Sequence, residues 1–217
     1  MLDIQELGVD EVLSTTRSVR RRLDFDRPVS RDVVRECLAL AMQAPSASNV
    51  TVSRFLVIDD PDVRASLAGL YRQAFEIYRA QPFAAGNIVT GDPVADATQQ
   101  RVMASAAYLA ENFHRVPVIV IPCVDGWADE TSSRIVEATS LGSVIPAAWS
   151  FCLAARSRGL GTAWTTMHLI FERETAAVLG IPYETVRQLA MIPVAHTKGG
   201  EFRPAPRKSL DSVVTFY

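Results

Sequence analysis

The chain has little of what thiol or metal chemistry requires, with three cysteines and three histidines among 217 residues. Cys37, Cys123 and Cys152 are far apart in sequence, and each lies in an apolar stretch. Isolated core thiols of this kind indicate a reducing compartment rather than a disulfide framework. The histidines show no metal-ligand spacing with one another or with a cysteine, so we predict no metal site.

Several common catalytic and binding motifs are also missing. The sequence has no phosphate-binding glycine loop with its lysine, no dinucleotide fingerprint after a strand, and no serine in a nucleophile-elbow pattern. Neither of the common nucleotide-binding folds is therefore supported.

The chain lacks both a marked excess of charge and a long apolar run. Its 22 basic and 24 acidic side chains give a net charge of −2, which does not favour nucleic-acid binding, because that function needs a broad basic face. We find no cationic leader before an apolar segment and no apolar run approaching about 18 residues. We therefore expect a cytoplasmic protein that binds neither nucleic acid nor a membrane.

The bulk composition predicts one globular domain. A chain of 217 residues that is 48% hydrophobic and 21% charged can bury one large core and leave apolar surface for a subunit interface. Helical and strand patterns alternate loosely, which predicts an α+β architecture with helices on a mixed sheet. The predicted helices cover about 10–16, 30–42, 67–78, 97–114, 132–158 and 172–179, and the predicted strands cover 52–58, 116–124, 160–166 and 186–195.

Four arginines within the six residues 17–22 are the most distinctive feature of the sequence. Each guanidinium carries a planar fork of donors that matches a phosphate, and Ser18 adds a hydroxyl. The same residues could instead form the solvated end of a helix, where arginines interact with the negative pole of the helix dipole. From this run alone, both interpretations stay open.

Three further features accompany the arginine run in a fixed order: residues 44–49 read APSASN, residues 159–166 read GLGTAWTT, and Arg207 lies in the tail before Lys-Ser-Leu. Taken together, they resemble the FMN-dependent nitroreductase family, from about Val12 to Val214. The resemblance implies a nitroreductase-like α+β fold whose central sheet, mixed but mainly antiparallel, is flanked by helices. It also implies an intertwined homodimer of single domains spanning 1–217, a variable excursion over the pocket at 71–93 and an extended C-terminal arm at 197–217.

The resemblance also implies which residues bind FMN. Arg17, Ser18 and Arg20 would hold the ribityl phosphate, joined by Arg207. The flavin ring would meet residues from both subunits, namely Pro45, Ser46, Ser48 and Asn49 from one and Trp164, Thr165 and Thr166 from the other. No side chain is assigned as an acid or a base, because the flavin supplies the chemistry. Without their neighbours, APSASN is an ordinary helix-ending turn and GLGTAWTT an ordinary buried strand.

The sequence departs from the family pattern in two places. Thr16 stands where an additional arginine is frequent, so that Arg21 is the candidate replacement, and Arg22 is expected to be solvated. Residues 50–53 read VTVS where many relatives have glutamine, proline and tryptophan.

By this resemblance the protein is an enzyme that transfers hydride from NADH or NADPH to FMN and then reduces a nitroaromatic, a quinone or a related small acceptor in a ping-pong cycle. Two alternatives remain. One is a different reductive reaction on the same fold, such as dehalogenation or flavin fragmentation. The other is a non-catalytic dimer that binds FMN to sense or store it.

Overall fold

The computed structural model describes residues 7–126, 133–199 and 201–217. Within them, the α-helices are α1 (Val9–Thr15), α2 (Arg31–Ala41), α3 (Pro61–Arg79), α4 (Pro93–Asn112), α5 (Arg134–Arg156) and α6 (Glu172–Leu179). The strands are β1 (Leu23–Asp24), β2 (Ser53–Ile58), β3 (Val118–Asp125), β4 (Leu160–Thr162), β5 (Val186–Gln188) and β6 (Ile192–Thr197). The predicted α+β architecture is confirmed.

The strands form one sheet in the order β1-β6-β3-β2, with β4 paired to β6 and β5 paired to β3. Each of these pairings is antiparallel. An isolated parallel bridge between Ser18 and Thr162 adds the arginine run beside β4. The mainly antiparallel sheet that the resemblance implies is therefore present.

Strand β3 is buried on both faces, which explains its nearly continuous apolar sequence. Ile119 and Ile121 belong to a core cluster that includes side chains of α3 and α4. Val118 and Val120 belong to a second cluster that includes side chains of α2 and α5. The sheet is thus the middle of three layers, and the two sets of helices cover its opposite faces.

The predicted core thiols are confirmed. Cys37, Cys123 and Cys152 are all buried and free. Burial raises the pKa of Cys37 to about 11 and that of Cys123 to about 12, so both thiols stay protonated at neutral pH.

Helix α5 corrects one expectation about apolar runs, because by length and composition it could cross a membrane. Val144, Ala148 and Phe151 on this helix are fully buried, and the helix contacts α2, β3 and β4. Because one face of the helix packs on the sheet in this way, we interpret it as a core helix of the fold. Pro146 lies within the helix, and the predicted start at Ser132 lies outside the described residues.

Several predicted boundaries were wrong. Helix α1 begins after Gly8 rather than with a cap at Asp10. Helix α4 begins at Pro93, where Asp92 accepts a hydrogen bond from the Val94 amide, because proline is well tolerated in a first turn. Helix α3 begins at Pro61, six residues before the predicted start at Leu67, and ends at Arg79.

Two predicted strands are shorter than their apolar patterns. The pattern at 160–166 forms a strand only over β4, and Thr165 then makes a single bridge to Met191. The pattern at 186–195 divides into β5, which pairs with β3, and β6, which pairs with β1, β3 and β4. Buried irregular backbone has the same apolar composition as a strand, so composition could not locate these breaks.

Candidate functional site

The arginine run does not form the end of a helix. Helix α1 ends at Thr15 and has no basic residue in its last turn. The chain then continues beside β4, where the Val19 amide donates to the Thr162 carbonyl at 2.8 Å. The alternative in which these arginines interact with a helix dipole is therefore not supported.

Gly161 allows the run to lie this close to β4. A Cβ atom at Gly161 would lie 3.1 Å from the Val19 Cβ, 3.0 Å from a Leu23 methyl group and 2.8 Å from a Thr197 methyl group. These separations are shorter than ordinary carbon–carbon contacts, which begin at about 3.5 Å. A larger residue at position 161 would therefore push the arginine run away from β4.

The run forms one wall of a cavity of about 230 Å³, which we call the arginine cavity. Its lining consists of Arg17, Ser18, Val19, Arg20, Arg21, Arg22, Ser105 and Phe202. Arg20 Nη1 donates to Ser105 Oγ at 3.4 Å, and Arg17 Nη1 donates to the Arg203 carbonyl at 3.2 Å. Both of these acceptors, a hydroxyl and a carbonyl, are neutral, so they leave the positive charge of the two guanidiniums uncompensated. The cavity therefore favours an anion.

A larger cavity of about 460 Å³ adjoins it, which we call the aromatic cavity. It is lined by Arg20, Tyr71, Ile77, Tyr78, Gln81, Phe83, Trp164, Thr165, Thr166, Met167 and Ile170. Arg20 lines both cavities. The two therefore offer one site with a cationic end and an apolar, aromatic end.

The two threonines of the aromatic cavity differ in what their hydroxyl groups can do. Thr165 is buried, and its Oγ1 donates to the Met191 carbonyl at 2.7 Å. Burial raises the pKa of neighbouring Tyr71 to about 12, partly offset by its hydrogen bond with Thr165. Thr166 is exposed. Its hydroxyl is thus the better placed of the two to meet a ligand.

Residues 81–88, which we call the strap, carry Gln81 and Phe83 to the aromatic cavity. The Asn87 side-chain amide donates to the carbonyls of Arg79 and Gln81, both at 2.9 Å. The Ala85 amide donates to Tyr78 Oη at 2.9 Å. These bonds fasten the strap to the end of α3, so the strap is a fixed wall of the cavity.

The sequence-predicted residues fall into two groups. One chain brings together Arg17, Ser18, Arg20, Trp164, Thr165 and Thr166 around the two cavities. Pro45, Ser46, Ser48, Asn49 and Arg207 line neither of them.

The APSASN segment packs instead against α5, where the Ala47 amide donates to Ser143 Oγ at 3.1 Å. Ser48 and Asn49 have positive φ angles of 53° and 56°, which is uncommon outside glycine. Arg207 is exposed, and its Nη1 donates to the Pro206 carbonyl at 3.1 Å. A single chain leaves both features apart from the cavities.

Sequence reasoning missed several lining residues. Tyr71 and Tyr78 belong to the apolar stripe of α3, and that pattern contains no sign that one end of the stripe faces a cavity. No sequence pattern indicated that Ser105 or Phe202 would line a cavity.

The expectation that Arg22 is solvated is wrong: its Nε donates to the Lys198 carbonyl at 2.8 Å, because the tail passes beside the run.

One side of the molecule exposes large apolar side chains. Leu13, Leu40, Ile145 and Trp149 are each at least 40% exposed. An apolar groove of about 290 Å³ between α1 and α5 lies on this side. The APSASN segment packs on the same helix α5.

Comparison with known proteins gives consistent results. The family profile described as the Nitroreductase family matches residues 13–196. Among similar solved structures, a BluB-like flavoprotein from Clostridium difficile 630 is 18% identical with a TM-score of 0.70, covering 97% of this chain and 99% of that one.

Two further solved structures agree over nearly the whole chain. An iodotyrosine deiodinase bound to FMN and 3-iodo-L-tyrosine is 17% identical with a TM-score of 0.70, covering 96% of this chain and 100% of that one. A point mutant of the FMN and NADPH-dependent nitroreductase NfnB from Sphigopyxis sp. strain HMH is 20% identical with a TM-score of 0.71, covering 97% of this chain and 99% of that one. These likenesses show the fold, and the profile match shows the family: the chain belongs to the nitroreductase family.

Proposed function

We propose that this protein is an FMN-dependent oxidoreductase that takes hydride from NADH or NADPH and reduces a nitroaromatic, a quinone or a related small acceptor. The observation that carries the proposal is the position of Arg20, which lines both the arginine cavity and the aromatic cavity. FMN has the same two-part chemistry, a dianionic phosphate joined to a flat aromatic ring. Family membership and the flavoproteins of similar fold support the same cofactor.

The residues present fit this cofactor at both ends. Arg17, Ser18 and Arg20 would hold the phosphate, because charge-assisted bonds from guanidinium groups are among the strongest that a phosphate can form. Arg20 extends toward the ring as well. Trp164 and Thr166 would lie beside the ring in the aromatic cavity.

Bound FMN would supply the hydride acceptance and two-electron delivery that no side chain of this site can perform. The chain's own residues position the reactants. The rigid bridge from Thr165 to Met191 fixes the cavity floor, and the strap limits the space for a flat acceptor. The oxidised nicotinamide leaves before the acceptor enters the same cavity, which is a ping-pong cycle, and solvent supplies the protons.

We further propose a homodimer in which the second copy completes each site. Three observations support it: the exposed apolar side of α1, α2 and α5, the packing of APSASN on α5, and the exposure of Arg207. In the dimer, Pro45, Ser46, Ser48 and Asn49 would approach the flavin ring of the other subunit, and Arg207 would reach a phosphate. We place this dimer in the cytoplasm, where its three free thiols stay reduced.

The test is anaerobic mixing of the FMN-loaded protein with NADH and, separately, with NADPH. We expect the yellow flavin absorbance to bleach with at least one nicotinamide and to return when a quinone or nitroaromatic is added. A protein that binds FMN but is not bleached would be a non-catalytic flavin binder. A protein that refuses FMN altogether would overturn the cofactor assignment.

A further inference from the structure

Two arginines share the ring of Phe202 at the start of the C-terminal tail. The guanidinium carbon of Arg22 lies 4.0 Å from the ring centroid, and that of Arg156 lies 4.9 Å from it. Both distances are within the range of a cation–π contact. Arg22 and Phe202 both line the arginine cavity, whereas Arg156 is buried, at 5% exposure, outside its lining.

Backbone bonds hold the tail in place around this ring. Arg22 Nε donates to the Lys198 carbonyl at 2.8 Å, and Arg22 Nη1 donates to the Glu201 carbonyl at 3.3 Å. Arg17 Nη1 donates to the Arg203 carbonyl at 3.2 Å. Two arginines of the cavity are therefore oriented by tail residues on either side of Phe202.

We infer that Phe202 is a positioning residue for phosphate binding: it fixes the guanidinium of Arg22, and through the tail that of Arg17, at the wall of the arginine cavity. This inference rests on the proposed function, since it names the residue that prepares the proposed phosphate site. A guanidinium already packed against a ring loses little further freedom when an anion binds, so a pre-organised wall binds the anion more tightly.

The charges around the ring add a second reason. Burial lowers the pKa of Arg156, the charge of Glu11 partly offsets that effect, and the positive charge of Arg22 lowers the pKa further. A dianion in the arginine cavity would offset the repulsion between these two groups. A bound phosphate would therefore stabilise the packing of Arg22 and Arg156 on Phe202, and that packing would in turn strengthen phosphate binding.

The experiment compares the dissociation constants of FMN and riboflavin for the apoprotein, the two ligands differing only in the phosphate. In Phe202→Leu and Phe202→Ala we expect FMN to bind about three- to tenfold more weakly, as loss of a cation–π contact predicts. Riboflavin should bind as it does to the unsubstituted protein. Phe216→Ala is the matched control, because Phe216 is a tail phenylalanine that is 94% exposed, and both of its constants should stay unchanged.

Circular dichroism establishes that each variant is folded, and the leucine variant keeps apolar bulk if the alanine variant is unstable. Unchanged FMN affinity in a folded Phe202 variant would overturn the inference while leaving FMN binding intact. Equal weakening of FMN and riboflavin would also overturn it, because Phe202 would then support the whole site rather than the phosphate end. If the unsubstituted protein bound neither FMN nor riboflavin, the proposed function would be overturned, and this inference with it.

Discussion

The amide nitrogen of Val19 lies 2.8 Å from the carbonyl oxygen of Thr162. This bond joins the arginine run to the short strand that leads into Trp164, Thr165 and Thr166. The cationic and aromatic ends of the site are therefore built on one rigid unit, although more than 140 residues separate them in sequence. Substitutions at this junction should disturb both ends together.

Gly161→Ala tests the junction. The added methyl group would meet Val19, Leu23 and Thr197 at 3.1, 3.0 and 2.8 Å, so we expect a loss of about 1–3 kcal/mol in the free energy of unfolding, as for other overpacked sites. Urea denaturation followed by circular dichroism measures it. FMN affinity should fall as well, because the arginines must move away from β4.

Gly69→Ala is the matched control for that substitution. Gly69 lies within α3, and a Cβ there would have no neighbour within 4 Å. Alanine is the better helix former, so stability should rise by about 0.5–1 kcal/mol. If both alanine variants behaved alike, the close approach at Gly161 would have no energetic importance.

Thr165 and Thr166 should respond differently to valine. Thr165→Val removes the buried side-chain bond to the Met191 carbonyl, at a cost of about 1–3 kcal/mol in stability. Thr166→Val changes an exposed hydroxyl that lines the aromatic cavity, so stability should stay within about 0.5 kcal/mol, while the rate of flavin reduction by NAD(P)H falls severalfold. Stopped-flow absorbance and thermal melting, applied to both variants, separate the two effects. An unchanged reduction rate in Thr166→Val would exclude its hydroxyl from the reaction.

Much of the fold could be predicted from local patterns. The β-rich run at 52–58 became β2, and the fully apolar run before Asp125 became the central strand, because burial on both faces leaves a continuous apolar signature. The ends of β4 and the break between β5 and β6 could not be predicted. Where the backbone leaves the sheet but stays in the core, its hydrogen bonding changes while its hydrophobicity does not. The errors in the strand boundaries therefore occur where the backbone leaves the sheet within the core.

The site divides in the same way. The arginine run and GLGTAWTT were predicted from sequence and meet in one chain. Phe202 and Ser105 were not predicted. Ser105 lines the cavity because its side of α4 faces the arginine run, and Phe202 does so because the tail passes beside the run, and neither arrangement leaves a pattern in the sequence. The segment APSASN and Arg207 remain predictions, since their proposed partners lie on a second copy of the chain.

Asn87 should set the apparent affinity for acceptors through the strap. Asn87→Ala removes the amide bond to the Arg79 carbonyl at the end of α3 and the bond to the Gln81 carbonyl within the strap. We therefore expect the strap to loosen and the KM for a quinone acceptor to rise severalfold with a smaller change in kcat. FMN affinity should be unaffected, because Asn87 lines neither site cavity. Gln73→Ala provides the comparison. Gln73 lies on α3, and its exposed side-chain amide donates to the Gly69 carbonyl. Equal KM values for the two variants would mean that the strap does not shape the acceptor site.

His168 should make the fold sensitive to mild acid. It is fully buried, and burial lowers its pKa from 6.5 to about 3; within the described residues neither ring nitrogen has a hydrogen-bond partner. The unfolded chain therefore takes up a proton below pH 6.5 that the folded chain refuses, so stability is full above that pH and is lost as the pH falls toward 3.

The expected size follows from the same linkage. Between pH 7.5 and pH 5 this one group should remove about 2 kcal/mol from the free energy of unfolding. In His168→Leu that part of the pH dependence should vanish, leaving the slope from His196, whose pKa burial also lowers, and from other groups. Urea denaturation of both proteins at several pH values gives the difference directly. Parallel stability curves would mean that His168 is protonated within the fold, which would contradict the lowered pKa.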